Sequence, residues 1–542
     1  EIRLSLVGSE MCIRDRFYTL ATAALCLGLT SCGDDFLTQE PASSVPVDGY
    51  YNTEAHIMES AVAAYDPMQW YDYFGGWAPL NLVWDSMGDD IYVGGGSTTD
   101  QGQIHKISQY RSDPRDNIGG AWSTSYSGIN RSIRLIDNAE TSNLPETSKN
   151  LFIIEGRAMR AWYYLVLWKT WGNVPYYEKN LVFPYVTRQY SADEVYAAVT
   201  ADLEGVLDSK VLPMNQPDNW KGRMTQAAAA MIYADYVMYQ ADKSKYAKAL
   251  GYLKDIINSH EYDLVSAAEL WDVTNEWNKE IIFDVNYQSK GGKRSWGSAN
   301  ATGGTVLPEM IGVDGFWTSN PTPEFQSGWG FCAVSKEVYD AYEENDLRRD
   351  LGVLNIDKFI KDERAKGYDA GYGGRYQNTG YFLRKYLPRP GGNDGNVADG
   401  GLNWDYNLHL YRYAETLLNA AELALETGDA SFAQDCFDKV RTRAGLDSKT
   451  VSLDNLIDER RLEFVGEGKR YFDLVRTGKA ATVLKAGGGV VLKNKETMEW
   501  GGQAIPERET WNPNKKYIQI PQDEIEATAS KGEEFAIKQN PK

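Results

Sequence analysis

The sequence has few cysteines, few histidines and no long apolar run, and each scarcity excludes a class of protein. Five Cys and four His in 542 residues supply neither a disulfide framework nor the paired spacings of a metal enzyme. Basic residues are also outnumbered, since 56 Lys and Arg stand against 76 Asp and Glu, for a net charge of −20. Such a surface repels phosphate backbones, so we expect no nucleic-acid partner.

Aromatic residues and glycine are abundant by contrast. The chain holds 16 Trp, 35 Tyr and 16 Phe together with 50 Gly, while its hydrophobic share of 42% and charged share of 24% are ordinary for soluble proteins. Its length exceeds the ~250–300 residues at which a single core stops growing. We therefore expect a globular chain with an extended scaffold, and aromatic residues that are partly exposed or placed on loops.

The N-terminal segment has the features of an export signal. Residues 17–31 form an uncharged, largely apolar run of 15 residues, which is shorter than the ~20 residues of a membrane-spanning helix and typical of a signal peptide. Leu29-Thr30-Ser31-Cys32 resembles the bacterial lipobox, in which the cysteine is lipidated. We predict a signal peptide over residues 1–31 and lipidation of Cys32. Residues 1–16 resemble translated adaptor sequence rather than a native n-region.

The middle and the end of the chain show helical periodicity in repeated units. Residues 225–258 contain two helical patterns joined by a short break, and residues 411–444 repeat this plan. Both units have the tetratricopeptide length of about 34 residues. Further helices are predicted from Glu155 to Trp171 and from Ala192 to Leu207. The predicted fold class is mostly α, a scaffold of tetratricopeptide-like helical pairs.

Three glycine-rich segments interrupt this periodicity. They lie at about 69–103, 288–332 and 369–403, and we interpret them as irregular insertions in a domain spanning 32–542. A strand is predicted mainly at residues 280–285, where β-branched residues alternate weakly. Cys332 and Cys436 are predicted to be two buried free thiols.

An ordered set of short motifs resembles a known family. They include Glu155-Gly156-Arg157-Ala158 ending in Gly172-Asn173-Val174-Pro175, Arg412-Tyr413-Ala414-Glu415, Asp458-Glu459-Arg460-Arg461 and Ile520-Pro521-Gln522-Asp523. Together they resemble the SusD/RagB outer-membrane nutrient-binding lipoproteins of Bacteroidetes over nearly all of residues 32–542.

This resemblance implies a fold, a partner and a location. The fold would contain four tetratricopeptide-like pairs with insertions that form a ligand surface. The protein would sit as a lid on a SusC-like TonB-dependent barrel and pass captured oligosaccharide to it. Gly33-Asp34-Asp35 after the lipobox resembles a surface-export signal. We therefore expect an outer-membrane lipoprotein, anchored by lipid at Cys32 and facing the cell exterior.

The aromatic residues of the insertions are the candidate ligand contacts. A pyranose presents a flat face of C–H groups that lies well on the negative face of an aromatic ring, and its hydroxyls need polar or charged partners at the rim. Glycine neighbours separate several of these rings from regular elements, whereas Trp162, Trp168 and Trp171 are core residues by their helical spacing. The predicted ligand-binding residues are Trp70, Tyr73, Trp77, Asp89, Trp296, Trp317, Trp329, Arg375 and Tyr381.

Two charged clusters have a structural interpretation. Opposite charges at helical spacing between Glu459 and Arg476 predict an ion-pair network at a buried helix junction rather than an anion site. Asp89-Asp90 could be considered as a calcium site, but the EF-hand spacing is lacking, so we favour solvated loop charges and predict no cofactor.

Catalysis has little support in the sequence. No H-E-x-x-H, G-x-S-x-G or Walker A motif occurs, and we predict a binding protein with no catalytic or metal-ligating residue. Its predicted ligand is an oligosaccharide, of neutral type because the chain is acidic. Two alternatives stay open: a peptide-capturing member of the same family, and a helical-repeat scaffold that binds only proteins.

Overall fold

The chain is seen in a computed structural model that describes residues 49–72, 79–298, 301–393, 395, 397–486, 489–494, 497–504 and 508–542. Tyr51–Lys542 form one unit and Glu1–Tyr50 another. The predicted signal peptide and Cys32 lie outside the described residues. Within those ranges, no helix combines the length and the apolar character that crossing a membrane requires.

Helices make up most of the regular structure. The described residues contain α1 (Glu54–Tyr65), α2 (Leu80–Ser86), α3 (Gly102–Ser108), α4 (Gly119–Thr141), α5 (Glu146–Trp171), α6 (Ala192–Ser209), α7 (Gln226–Gln240), α8 (Tyr246–Ser259), α9 (Ala267–Leu270), α10 (Leu307–Ile311), α11 (Lys336–Ala341), α12 (Leu347–Gly352), α13 (Ile356–Ala365), α14 (Tyr413–Glu426), α15 (Ala430–Arg443), α16 (Leu453–Glu463), α17 (Arg470–Arg476), α18 (Ala480–Val483) and α19 (Gln522–Ala529).

The strands are short and pair only two at a time. They are β1 (Ile91–Gly94), β2 (Val174–Pro175), β3 (Gln189–Tyr190), β4 (Ile281–Val285), β5 (Trp317–Thr318), β6 (Phe331–Val334), β7 (Val353–Asn355), β8 (Ala370–Gly371), β9 (Tyr381–Leu383), β10 (Leu408–Arg412), β11 (Gly489–Lys493) and β12 (Trp500–Ala504). The antiparallel pairs are β1–β6, β2–β3, β4–β10, β5–β8, β7–β9 and β11–β12. The predicted mostly-α fold class is confirmed.

Eight helices pack in one series that forms the scaffold. Each of α1, α4, α5, α6, α7, α8, α14 and α15 contacts the next. The predicted repeat units correspond to α7 with α8 and α14 with α15, and the breaks between the helices lie where the sequence predicts them. Helix α6 begins with a capping box, in which Ser191 accepts a bond from the Glu194 N–H and the Glu194 carboxylate accepts one from the Ser191 N–H, so the local signal and the packing agree.

Helices α4 and α5 approach each other closely at a glycine. A Cβ atom at Gly128 of α4 would lie 2.2 Å from the ring of Tyr163 on α5, so only glycine allows this approach. The sequence analysis did not predict α4, because its Ser, Gly and Asn residues weaken the periodic pattern. Trp168 and Trp171 of α5 are fully buried and Trp162 is nearly so, which confirms their predicted place in the core.

The insertions carry a small core of their own. Val313, Phe316, Phe325, Leu354, Ile356, Ile360, Ala370, Phe382 and Leu387 form a separate buried cluster. Strands β7, β8 and β9 and helix α13 supply most of these residues. The glycine-rich segments are therefore partly ordered around apolar contacts, and the first of them also contains α2 and β1.

An ion-pair network joins the C-terminal helices to the scaffold, as the charge spacing predicts. Arg412 is buried and bonds Glu280 at 2.5 Å, Glu463 at 3.1 Å and Glu467 at 2.8 Å. Arg460 Nε donates to Asp473 at 2.8 Å nearby. These charged groups bond one another, so few of their hydrogen-bonding atoms remain to contact a ligand.

The two cysteines within the described part of the chain, Cys332 and Cys436, are buried and free, as predicted.

Candidate functional site

Two tryptophans from the second insertion form a stacked pair at the surface. The rings of Trp296 and Trp329 lie 5.7 Å apart with an interplanar angle of 30°. Trp296 is 54% exposed, whereas Trp329 is partly buried behind it. An exposed indole supported by a second ring is a flat, apolar and preorganised surface.

Trp296 lies at the tip of a hairpin-like excursion. The Gln288 N–H donates to the Gly303 carbonyl at 3.3 Å, and the Lys293 N–H donates to the Thr302 carbonyl at 2.9 Å. Ser298 N–H then donates to the Ser295 carbonyl at 2.9 Å and closes the turn around Trp296. This turn leaves the Trp296 indole exposed to solvent.

A buried arginine fixes the base of this excursion. Arg294 is fully buried, and its Nη1 donates to Asp72 Oδ1 at 2.6 Å while its Nη2 donates to the Gln69 carbonyl at 2.9 Å. Burial raises the pKa of Asp72 even though the Arg294 guanidinium opposes the rise. Tyr73 and Trp77, two predicted ligand contacts, follow Asp72 in the sequence but lie outside the described residues.

Arg375 holds the backbone of Trp329 rather than pointing freely to solvent. Its Nε and Nη2 donate to the Trp329 carbonyl at 3.0 and 2.9 Å, and its Nε lies 3.7 Å from Asp314 Oδ1. The Trp329 N–H donates to the Glu309 carbonyl at 2.7 Å. Both backbone groups of Trp329 are thus fixed, and Arg375 acts on the stacked pair as a positioning residue.

Trp317 is a second exposed indole on the same insertion. It is 55% exposed and lies in β5, which pairs with β8 so that Trp317 is opposite Gly371. A Cβ atom at Gly371 would lie 2.8 Å from Trp317 Nε1. The absence of a side chain at residue 371 therefore lets the indole lie flat against the strand.

The other predicted contacts lie elsewhere or are occupied. Trp70 is partly buried, with the Arg131 guanidinium 4.8 Å from its ring centroid. Tyr381 is buried and packs against Tyr339 at 4.5 Å. Because both rings pack against other side chains, we do not include these residues in the candidate surface.

Asp89 and Asp90 are not the solvated loop charges that the sequence suggested, and that expectation was wrong. Arg470 bonds Asp89 at 2.8 Å, and Arg461 bonds Asp90 at 2.5 Å. Burial alone would raise the pKa of Asp89, but the two guanidiniums outweigh it and lower the pKa below its usual value. Among the described residues, no group of three or more His, Cys, Asp or Glu is arranged to hold a metal ion.

A cleft of about 440 Å³ opens at the base of the Trp296 excursion. Its walls combine amide, aromatic and charged side chains with glycine backbone: Gln69, Glu276, Trp277, Asn286, Tyr287, Gln288, Lys290, Gly291, Gly292, Thr302, Gly303 and Asn407. The volume is within the ~300–1,000 Å³ range of ligand pockets. The sequence analysis did not predict this cleft, although Trp277, in the loop before β4, could have indicated a ligand site there.

A larger cleft of about 650 Å³ is lined by none of the predicted contacts that lie within the described residues. Its walls come mainly from residues 110–115, 509–519 and 541–542. Its charges are largely paired, as for Lys515 with Glu509 and Arg115 with Glu526 at 3.5 Å. Unlike the first region, its described walls contain no tryptophan.

Comparisons with known proteins find relatives that share this fold over most of the chain. Surface glycan-binding protein A from Bacteroides thetaiotaomicron, solved in complex with laminarihexaose, is 39% identical with a TM-score of 0.80, over 90% of this chain and 99% of that one. A laminarin-binding SusD-like protein is 30% identical with a TM-score of 0.78, over 91% of this chain and 100% of that one. A SusD-like protein from Bacteroides ovatus is 26% identical over 492 residues, which are 85% of this chain and 82% of that one.

The same comparisons bear on the predicted class. Three relatives are named for what they bind, namely a glycan, laminarin and starch, in agreement with the prediction of a binding protein. A model of the SusD family matches residues 357–542, and the likeness to the solved relatives extends over nine tenths of the sequence. The chain belongs to the SusD family.

Proposed function

We propose that this chain captures a neutral glucan of the laminarin type at the outer surface of the cell and delivers it to a SusC-like TonB-dependent barrel. The observation that carries the proposal is the exposed, supported indole of Trp296 on Trp329. Two relatives are at least 30% identical to this chain. One was solved in complex with laminarihexaose, and the other is a laminarin-binding protein. The ligand class follows from these two relatives together with the aromatic surface.

Capture would depend on stacking and hydrogen bonding. A pyranose ring laid on Trp296 would place its C–H groups against the negative face of the indole, and the stacked Trp329 reduces the entropy lost on binding. The net charge of −20 favours a neutral polymer over a polyanionic one. Trp317 would extend the surface along a ligand of several sugar units.

The proposed location rests on the N-terminal sequence. Lipidation at Cys32 would anchor the chain to the outer membrane, because several acyl chains together hold a protein stably while one holds it marginally. Cys32→Ala should release the protein from the membrane fraction, as measured by fractionation and immunoblotting in cells that lack the barrel. Membrane retention of the variant in those cells would contradict the anchor.

The binding proposal is tested by calorimetric titration of the unlipidated Cys32→Ala protein. The panel would contain laminarihexaose, laminarin, other plant, host and microbial oligosaccharides, and mixed peptides. Binding of laminarihexaose and laminarin, with weaker or no binding of the other ligands, is the expected result. Heat from peptides alone would favour the peptide-capturing alternative, and no heat from any ligand would favour a protein-binding scaffold.

A further inference from the structure

The cleft at the base of the Trp296 excursion contains a carboxylate of which only one oxygen accepts a hydrogen bond from the described part of the chain. Glu276 Oε1 accepts a bond from the Asn407 N–H at 2.7 Å, and no bond to its Oε2 is seen within the described ranges of the chain. Glu276 lines the cleft together with Trp277. Its second oxygen is therefore available to a group that enters the cleft.

This half-buried carboxylate differs from the fully buried Glu280 of the same region. Glu280, four residues along the chain, bonds Arg412 at 2.5 Å and Arg443 at 3.1 Å. Buried carboxylates are ordinarily paired in this way, because an unpaired charge away from water is costly. No cation bonds Glu276 among the described residues. A partner from outside the chain would complete its hydrogen bonding.

A second wall of the cleft also contains a buried acceptor without a hydrogen-bond partner in the described part of the chain. Asn286 Nδ2 donates to the Lys221 carbonyl at 3.3 Å, but Asn286 Oδ1 has no hydrogen-bond partner in the described part of the chain. An amide oxygen, a carboxylate oxygen and the partly buried indole of Trp277 thus border one cavity. Sugar rings are recognised by this combination of an aromatic face with hydrogen-bonding groups at the rim.

We propose that this cleft is a second sugar-binding site, in which a pyranose ring contacts Trp277 while its hydroxyls donate to Glu276 and Asn286. The inference rests on the proposed function, since the ring would belong to the same glucan that lies on Trp296. The two sites are connected by one excursion, whose tip carries Trp296 and whose base supplies Gly291 and Gly303 to the cleft wall.

The surroundings of Glu276 make the site sensitive to pH. Burial, with the nearby Asp284 and Asp405 carboxylates adding to it, raises the pKa of Glu276 to about 7. The Asn407 N–H and His409 oppose this rise.

Other charged groups face the same region. His409 bonds Asp284 at 2.9 Å and is buried, Asp405 accepts a bond from the Ser289 hydroxyl at 2.6 Å, and Lys290 lines the cleft. A substitution confined to Glu276 leaves all of them in place, so any pH dependence that they cause is common to the wild type and the variant.

Sugar affinity should increase as the pH rises through 7. A hydroxyl donates a stronger bond to a carboxylate than to a neutral carboxyl group, so binding favours the ionised form of Glu276 and releases protons near neutral pH. We expect laminarihexaose to bind roughly three- to ten-fold more tightly at pH 8.5 than at pH 5.5. In Glu276→Gln, which keeps an acceptor for the Asn407 N–H, the affinity should vary little over this range.

The experiment is titration of laminarihexaose at pH 5.5, 7 and 8.5 into the wild type, Glu276→Gln and the control Glu524→Gln. Burial also raises the pKa of Glu524, which lies on α19, and its variant should keep the wild-type pH dependence. Titration of the wild type in buffers of different ionisation enthalpy measures proton release without any substitution. Melting temperatures at pH 5.5 check that each variant is folded.

The outcomes separate this inference from the proposed function. A pH-independent affinity in the wild type, or the same pH dependence in Glu276→Gln, would overturn the second site and leave capture on Trp296 intact. Loss of pH dependence only in Glu276→Gln, with proton release by the wild type, would support it. If laminarihexaose fails to bind at any pH, both the proposed function and the second site are wrong.

Discussion

The C-terminal ion-pair network and the Trp296–Trp329 surface use their side chains in opposite ways. In the network, Arg412 and its three glutamate partners are buried and bond one another. At the surface, Trp296 is more than half exposed and rests on one other ring. Groups that complete each other's bonding hold the fold together, whereas a face left open to solvent is available to a ligand. The two regions should therefore respond differently to substitution.

Arg412→Ala should cause the largest loss of stability. It would leave Glu280, Glu463 and Glu467 without this guanidinium in a buried setting, which costs about 3–5 kcal/mol of unfolding free energy. Urea denaturation followed by circular dichroism measures the loss. The control is Arg115→Ala, because the Arg115 side chain is 72% exposed beside Glu526 and its removal should cost only about 0–1 kcal/mol. Equal stability of the two variants would show that the buried ion pairs of Arg412 stabilise the fold no more than the exposed pair of Arg115.

Acid should weaken the same network over a defined pH window. Burial alone would raise the pKa of Glu467, but Arg412 and Lys385 outweigh it and lower the pKa to about 2. Arg460 and Arg476 likewise outweigh burial at Asp473 and lower its pKa to about 2. Carboxyls with lowered pKa values add stability above their unfolded pKa, and this contribution disappears as the pH falls toward 2.

The expected loss is on the order of 2–3 kcal/mol for each carboxyl between about pH 4.5 and 2. Thermal unfolding from pH 6 to pH 2.5 measures it, and Arg412→Ala should show a smaller decrease than the wild type because the pKa of Glu467 is then less depressed. Stability that stays constant across this window would show that the network contributes little.

Arg375→Ala should have the smallest effect, and mainly on binding. Without its two bonds to the Trp329 carbonyl, the supporting ring is held less firmly, and laminarihexaose affinity should fall roughly two- to five-fold. The control is Arg508→Ala, since Arg508 also donates to a backbone carbonyl, that of Gly88, at 2.5 Å but lies away from the stacked pair. A wild-type affinity in Arg375→Ala would argue against its positioning role.

The scaffold was largely predictable because each of its helices is indicated by a pattern within its own stretch of sequence. Apolar spacing and chain breaks located α7, α8, α14 and α15, and the motif charges located the ion pairs. Helix α5 begins at Glu146, earlier than the predicted Glu155, because residues 146–150 are polar and residues 151–154 form an unbroken apolar run without helical spacing. Helix α4 was missed for a related reason, since packing against α5 rather than propensity stabilises it.

The site was predictable only in its composition. Trp296, Trp317 and Trp329 were selected for their glycine neighbours, but no local signal shows that Trp296 and Trp329 stack. Asp89 was assigned to the ligand surface because it is a charged residue in the first aromatic insertion. Its partner Arg470 is 381 residues away in sequence, and such a pairing becomes visible only in the fold. The cleft at Glu276 was missed because its walls come from five separate stretches of the chain.

The central claim, that the exposed indole pair binds the glycan, is tested most directly by titrating laminarihexaose into Trp296→Ala and the matched control Trp500→Ala. Trp500 is also an exposed indole, 41% accessible, but its ring contacts are with Tyr381 and Lys493. We predict that Trp296→Ala weakens binding roughly ten-fold or more, about 1.4 kcal/mol, at unchanged melting temperature, while Trp500→Ala binds like the wild type. Equal affinities for the wild type and Trp296→Ala would contradict the claim.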